Sequence, residues 1–266
     1  MSNTSVADGA PTRAENTQAR STKGPGILIA GHSHAYALGL PGAKADAQPE
    51  LVDIAPGFQG LVGPWPRDDG YWDALVQKAK EGELIVALSF LGNDHLAHFL
   101  IEEAPFDFIS ATDEEGDVRK GVEIIPEARL RDVFKEHSSR LPAILNKLST
   151  AGVRTLVLGT PPPKENLQSR LTTEPFFIKR LEELGHSIET VELCPSPLQL
   201  KLWKLLQTML EEAAVMNGAT FIPYPRALMN EGGYLKQQFA RNDVTHANDA
   251  AGAFFRDELA ARTAQV

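Results

Sequence analysis

The 266-residue chain carries 26 Lys plus Arg against 35 Asp plus Glu, a formal net charge of −9, with 42% hydrophobic and 23% charged residues. This is enough apolar material for a sizeable core in one large or two small domains. An acidic chain without a basic block lacks the clustered cations that nucleic acid or an anionic membrane surface demands, so neither is expected as a partner. A single cysteine, Cys194, excludes an intrachain disulfide, a zinc ribbon and a CxxC redox site, and it fits a reducing compartment.

Residues 1–25 are polar and rich in Gly, Pro, Ser and Thr, with no apolar signal core, and are expected to be a disordered tail. No run of about 18 apolar residues occurs anywhere, so a spanning helix is not expected. Together these features predict a cytoplasmic protein.

Order is expected from Gly26. Gly26 to Ala30 is a short apolar run closed by Gly31, the pattern of a buried strand. Leu51 to Ile54 reads as a weaker second strand, closed by Pro56 and Gly57. Tyr71 to Lys80 places Trp72, Leu75, Val76 and Ala79 on one helical face. Leu84 to Leu88 is a third strand, ending near Gly92. Phe106 to Pro126 reads as a hairpin around the acidic turn Asp113 to Asp117. Leu130 to Leu148 is amphipathic, with Pro142 as a kink or restart. Thr155 to Leu158 is a fourth strand, stopped by Gly159 and the prolines at 161–163. Lys164 to Pro197 reads as a mobile or capping insertion. Leu198 to Met216 is a long helix, Thr220 to Ile222 a fifth strand, and Ala247 to Thr263 a closing helix begun at Asn248. Strands alternating with helices predict βαβ units and a parallel, doubly wound sheet. Residues 26–266 then form a single domain with insertions near 106–126 and 164–197.

In such sheets ligands sit beyond the C-terminal ends of the strands. Gly31-His32-Ser33-His34 follows the first strand, Pro56-Gly57-Phe58-Gln59-Gly60 the second, and Gly92-Asn93-Asp94-His95 the third. Asn242-Asp243-Val244-Thr245-His246 precedes the last helix. These are the parts of an acyl-transfer site. A serine hydroxyl needs a base, which His246 can be; Asp243 can hold the imidazole in the working tautomer. The backbone amides of Ser33 and Gly57 and the side chain of Asn93 can meet a developing oxyanion.

The order of these blocks resembles the SGNH (GDSL-type) hydrolases. That family has a serine after strand one, a glycine in a second block, an asparagine in a third and Asp-x-x-His near the end. Ser33, Gly57 (with Gly60 three residues on), Asn93, Asp243 and His246 match in turn, over residues 26–262. The resemblance implies a three-layer α/β/α sandwich with a mostly parallel five-stranded sheet in flavodoxin-like order. It also implies a serine esterase acting on a small-molecule or carbohydrate ester through an acyl-enzyme, without a cofactor or metal. The first block departs from the family pattern, with His32 where an aspartate is usual. In the third block the glycine stands directly before the asparagine, and Ala55 replaces a frequent asparagine in the second.

Other readings use the same residues. The triad can pass an acyl group to an alcohol, giving an acyltransferase, or the fold can be a binding module without turnover. His32, His34, His95 and His98 allow a metal-dependent hydrolase, although further ligands after later strands are missing. Gly31 to Ala35 nearly matches the nucleophile elbow of α/β-hydrolases, but that elbow follows several strands, not one. Trp65 and Arg67 line either a pocket or a structural loop. Cys194 reads as a small buried apolar residue.

Overall fold

A computed structural model describes residues 26–43, 45–111, 118–171, 175–187 and 189–264. The expected tail at 1–25 and the acidic turn Asp113 to Asp117 lie outside the described residues.

Strand β1, Ile27–Gly31, is buried along its whole length. Its side chains alternate between two apolar clusters: Leu28 and Ala30 enter one, Ile27 and Ile29 the other. A strand buried on both faces must lie in the centre of a sheet covered on both sides. A 3₁₀ turn, Ser33–Tyr36, follows it. Next come β2, Glu50–Ala55, β3, Phe58–Val62, and helix α1, Asp69–Glu81. Asp68 caps α1 by accepting the Tyr71 N–H at 2.9 Å. Strand β4, Ile85–Ser89, leads into the single turn α2, Asp94–Ala97. Two short strands, β5, Phe106–Asp107, and β6, Glu123–Ile124, precede α3, Glu127–Ser138, and α4, Leu141–Thr150. Pro142 sits in the first turn of α4, where its missing N–H costs nothing, so the expected restart is a true helix boundary. Then follow β7, Thr155–Leu158, α5, Gln168–Leu171, α6, Pro175–Glu183, α7, Ser196–Met216, β8, Thr220–Ile222, and α8, Asp249–Thr263.

The main sheet has the order β2-β3-β1-β4-β7-β8. The strands β3, β1, β4, β7 and β8 run parallel. In order of occurrence they read 2-1-3-4-5, the flavodoxin-like arrangement. Helices α1, α3, α4 and α7 supply one apolar layer and α8 the other.

Two expectations are corrected. The second parallel strand is Phe58–Val62; Leu51 to Ile54 belongs to a sixth, edge strand that pairs antiparallel with it. Ala55 faces Phe58 across the two residues Pro56 and Gly57, and Gly57 has φ 82°, the residue pattern of a type II turn. The Pro-Gly pair therefore joins a hairpin rather than ending a parallel strand. Gln59 and Gly60 break the apolar run of β3 and hide it from a periodicity reading. Second, residues 106–126 do not form a hairpin: β5 and β6 pair in parallel. Their meeting point is the buried carboxylate of Asp107, which accepts from Lys201 Nζ at 2.7 Å and from the Arg119 N–H at 2.8 Å.

The closing helix docks on the turn that carries Ser33. Asn248 caps α8 by accepting the Ala251 N–H at 3.1 Å. One residue on, Gly252 packs so tightly that an added Cβ would lie 1.6 Å from the Ala37 carbonyl oxygen. Gly252→Ala is therefore expected to push α8 off this turn and to destabilise the fold by about 1–3 kcal/mol. Urea unfolding will measure this as a lower midpoint at unchanged slope.

Candidate active site

The site forms where β1 and β4 end side by side. Their register runs without a break to Gly31↔Ser89, and the His32 N–H continues it by donating to the Ser89 carbonyl at 2.8 Å. Gly31 has φ 120°, and a Cβ there would meet Ser89 O at 2.0 Å. Only glycine lets the chain leave the sheet at this point. Ser33 is thereby lifted to the first position of the 3₁₀ turn, where its N–H has no acceptor within the turn.

The Asp-x-x-His segment reaches the same edge from the other end of the chain. His246 Nε2 lies 2.9 Å from Ser33 Oγ, and His246 Nδ1 lies 3.0 Å from Asp243 Oδ2. With the Nδ1 proton on the carboxylate side, Nε2 is free to accept from the serine hydroxyl. The other carboxylate oxygen, Asp243 Oδ1, accepts the backbone N–H of Thr245 at 3.0 Å and of His246 at 2.7 Å. These two local bonds fold the segment into a tight turn and are available to any Asp at that spacing.

The third donor to Asp243 Oδ1 is one that sequence reasoning missed. Lys164, 2% exposed, donates from Nζ to Asp243 Oδ1 at 3.0 Å, and also to the carbonyls of Asp243 at 2.8 Å and Arg241 at 3.0 Å. Arg170 Nη1 adds a bond to the same Arg241 carbonyl at 2.7 Å. Burial would raise the Asp243 carboxyl pKa; the bonds from the His246 ring and N–H, and the Lys164 charge, outweigh it and hold the group well below the usual carboxylate range. The only sequence signal for Lys164 was a cation directly after the prolines that close the fourth strand.

Asn93 stands at the C-terminal end of β4, at the N-cap position of α2, yet its side chain makes no capping bond there. Gly57 is not at this site. Its carbonyl accepts from the Ile27 N–H at 2.9 Å, so it lies at the N-terminal end of β1, the full length of the strand away, about 15 Å. The reason is the hairpin: the turn precedes β3 rather than following it. The glycine at the correct end is Gly63, directly after β3, and sequence reasoning passed over it because β3 itself was missed.

Three more histidines lie in this region: His32 and His34 flank Ser33 in the chain, and His95 lies near enough to His34 to act on its charge. The His34 ring is tilted by 40° against His246, with centroids 4.9 Å apart. His32 packs on Phe90 at 4.6 Å and against Trp65 at 5.6 Å. Burial, with the nearby Arg67 charge, lowers the His32 pKa to about 4, and burial lowers that of His95 to about 3. His34 is also held well below the ordinary value, by burial first and then by His246 and His95. Arg67 is buried and structural: it donates to the Gly31 carbonyl at 3.2 Å and the Pro64 carbonyl at 2.8 Å, bracing the end of β1. Cys194 is buried with its thiol pushed up to about 12, so it is an inert packing residue, as expected.

The solved structures that the chain is similar to, all at low identity, include the following three. A protein described as an acylhydrolase, from Bacteroides fragilis, has 10% identity, coverage of 90% of this chain and 86% of that one, and a TM-score of 0.48. TesA has 13% identity, coverage of 88% and 94%, and a TM-score of 0.42. Phospholipase A1 from Streptomyces albidoflavus has 13% identity, coverage of 87% and 95%, and a TM-score of 0.40. No family model and no curated protein matches the sequence. Among the described residues no helix is long and apolar enough to cross a membrane.

The buried histidines set a pH dependence of stability. Each has a folded pKa below its unfolded value near ~6.5, so below that pH the unfolded chain binds more protons and stability falls as pH drops. The expected slope between pH 6.5 and about 4 is up to ~1.4 kcal/mol per pH unit for each of His32 and His95, and His34 adds to it in the same direction. Urea midpoints at pH 7, 6 and 5 will measure the slope, and His95→Leu should flatten it by about one proton.

Proposed function

We propose that this chain is a serine hydrolase of the SGNH type that cleaves carboxylic esters through an acyl-enzyme. One observation carries the reading: one imidazole makes both the 2.9 Å contact from Nε2 to Ser33 Oγ and the 3.0 Å contact from Nδ1 to Asp243. A lone Ser–His contact is common; a serine, an imidazole and a carboxylate in sequence at the C-terminal edge of a parallel sheet is the arrangement that activates a hydroxyl.

Ser33 Oγ attacks the ester carbonyl as His246 Nε2 takes its proton. Asp243 keeps the Nδ1 proton oriented and stabilises the imidazolium. The tetrahedral oxyanion is met by the Ser33 N–H, left open by its place at the start of a 3₁₀ turn, and by the Asn93 carboxamide, which does not cap its own helix. Gly63 is at the correct end of β3 to contribute a further N–H; Gly57 takes no part. His246 then protonates the leaving alcohol, and water attacks the acyl-enzyme by the reverse sequence. Trp65, 50% exposed and packed edge-on against His32, offers a flat apolar face for the acyl or sugar portion of a small ester.

Lys164 acts here as a positioning residue. Its ammonium fixes the carboxylate and the backbone of the turn that carries His246, so it touches neither substrate nor nucleophile.

A fluorophosphonate probe should label wild type at Ser33 and leave Ser33→Ala unlabelled; equal labelling of the two, or none of wild type, overturns the assignment. Turnover of p-nitrophenyl acetate should fall by about 10⁴-fold or more in Ser33→Ala and by a similar order in Asp243→Asn, with intact thermal melts. Lys164→Met should lower kcat by about tenfold or more with little change in KM, because orientation rather than binding is lost. A variant that melts normally and keeps full kcat would remove Lys164 from the mechanism.

A further inference from the structure

A second cluster of chemically active side chains lies beside the Asn93 loop, outside the Ser33 site. Asp94 and His98 are four residues apart, so the helical turn of α2 brings them onto one face. His137, in the last turn of α3, comes to the same face from another element. One donor atom from each of the three residues lies within 4.8 Å of the other two. Asp94 Oδ1 is 3.9 Å from His98 Nε2, and the two imidazole rings lie 3.9 Å apart at 33°.

This donor set has the character of a metal site. Two imidazoles and one carboxylate are the borderline donors that first-row transition ions take, whereas Mg²⁺ and Ca²⁺ prefer oxygen alone. Ligand bonds of about 2.0–2.2 Å require donors some 3.3–3.5 Å apart, so side-chain rotations of roughly 1 Å would close the cluster around an ion. The carboxylate is already oriented, because its second oxygen, Oδ2, accepts the Gly92 N–H at 3.3 Å. Both histidines are exposed, which leaves an entry path and a coordination position open to water.

We propose that Asp94, His98 and His137 bind a single divalent transition ion of the zinc class. The ion would clip α2, and with it the loop carrying Asn93, to the end of α3. It supplies no step of ester cleavage, and the proposal stands or falls independently of the serine hydrolase reading.

The test is calorimetric titration of tag-free, full-length protein with zinc chloride, beside His98→Ala and His137→Ala. Both substitutions are at exposed positions, and circular dichroism will establish that the variants keep their helices. Wild type should take up one equivalent of zinc that each variant binds at least ~10-fold more weakly, and excess magnesium chloride should not displace it. Zinc should also raise the melting temperature of wild type and leave that of His137→Ala unchanged. The absence of a zinc equivalent in wild type, uptake by the variants equal to wild type, or displacement by magnesium would each overturn the proposal. Fluorophosphonate labelling of Ser33 should persist in both variants, so failure of the metal site and failure of the proposed nucleophile are separable.

Discussion

The carboxylate of Asp243 is the point on which the arrangement around Ser33 depends. One oxygen takes the imidazole of His246; the other gathers two backbone N–H groups and the ammonium of Lys164. The backbone bonds are local and shape the turn. The Lys164 bond is different in kind, because it ties the segment before α8 to the chain just after β7. A buried ammonium needs this set of acceptors as much as the carboxylate needs the donor: leaving either partner alone in the interior is strongly unfavourable. The pair therefore holds the turn in one position relative to the sheet.

The segment from 164 to 197 gains a physical meaning from this. Its first residues contribute Lys164 and Arg170 to the carbonyls of the Asp243 turn. Its apolar residues Leu167, Leu171 and Phe177 pack with Leu96 and Leu100 near α2 and with Val244 between Asp243 and His246. The same small core thus supports the element after Asn93 and the element carrying His246. On the proposed reading, the base and the oxyanion donor share one packing cluster, so they move together or not at all. His34 packs against the imidazole, His32 lies beside Ser33 in the chain and His95 near His34, and burial disfavours the charged form of each. His34 shapes the space beside His246, and none of the three adds competing positive charge near neutral pH.

The parts of the site legible in the chain were those governed by short-range rules. Ser33 follows an apolar run closed by glycine, and Asp243 and His246 sit at a spacing that lets one carboxylate bond the backbone and the ring of the other. Asn93 follows a strand of five buried residues. Each pattern is contained within a few neighbours. Gly57 was misread because a Pro-Gly pair ends a strand equally well as a loop above the sheet or as a hairpin below it. The choice rests on whether Phe58–Val62 is itself a strand, and Gln59 and Gly60 obscure that.

Sequence alone thus determined the alternation of buried strands with amphipathic helices, and with it the parallel sheet, since periodicity records burial residue by residue. It also determined the composition of the proposed triad. Tertiary structure decided the direction of the edge hairpin, which sends Gly57 to the far end of the sheet and leaves Gly63 at the near one. It decided that Lys164 meets Asp243, and that His137 joins Asp94 and His98. These pairings form between segments far apart in the chain. No local propensity encodes them, because their partners are chosen by strand order and helix packing.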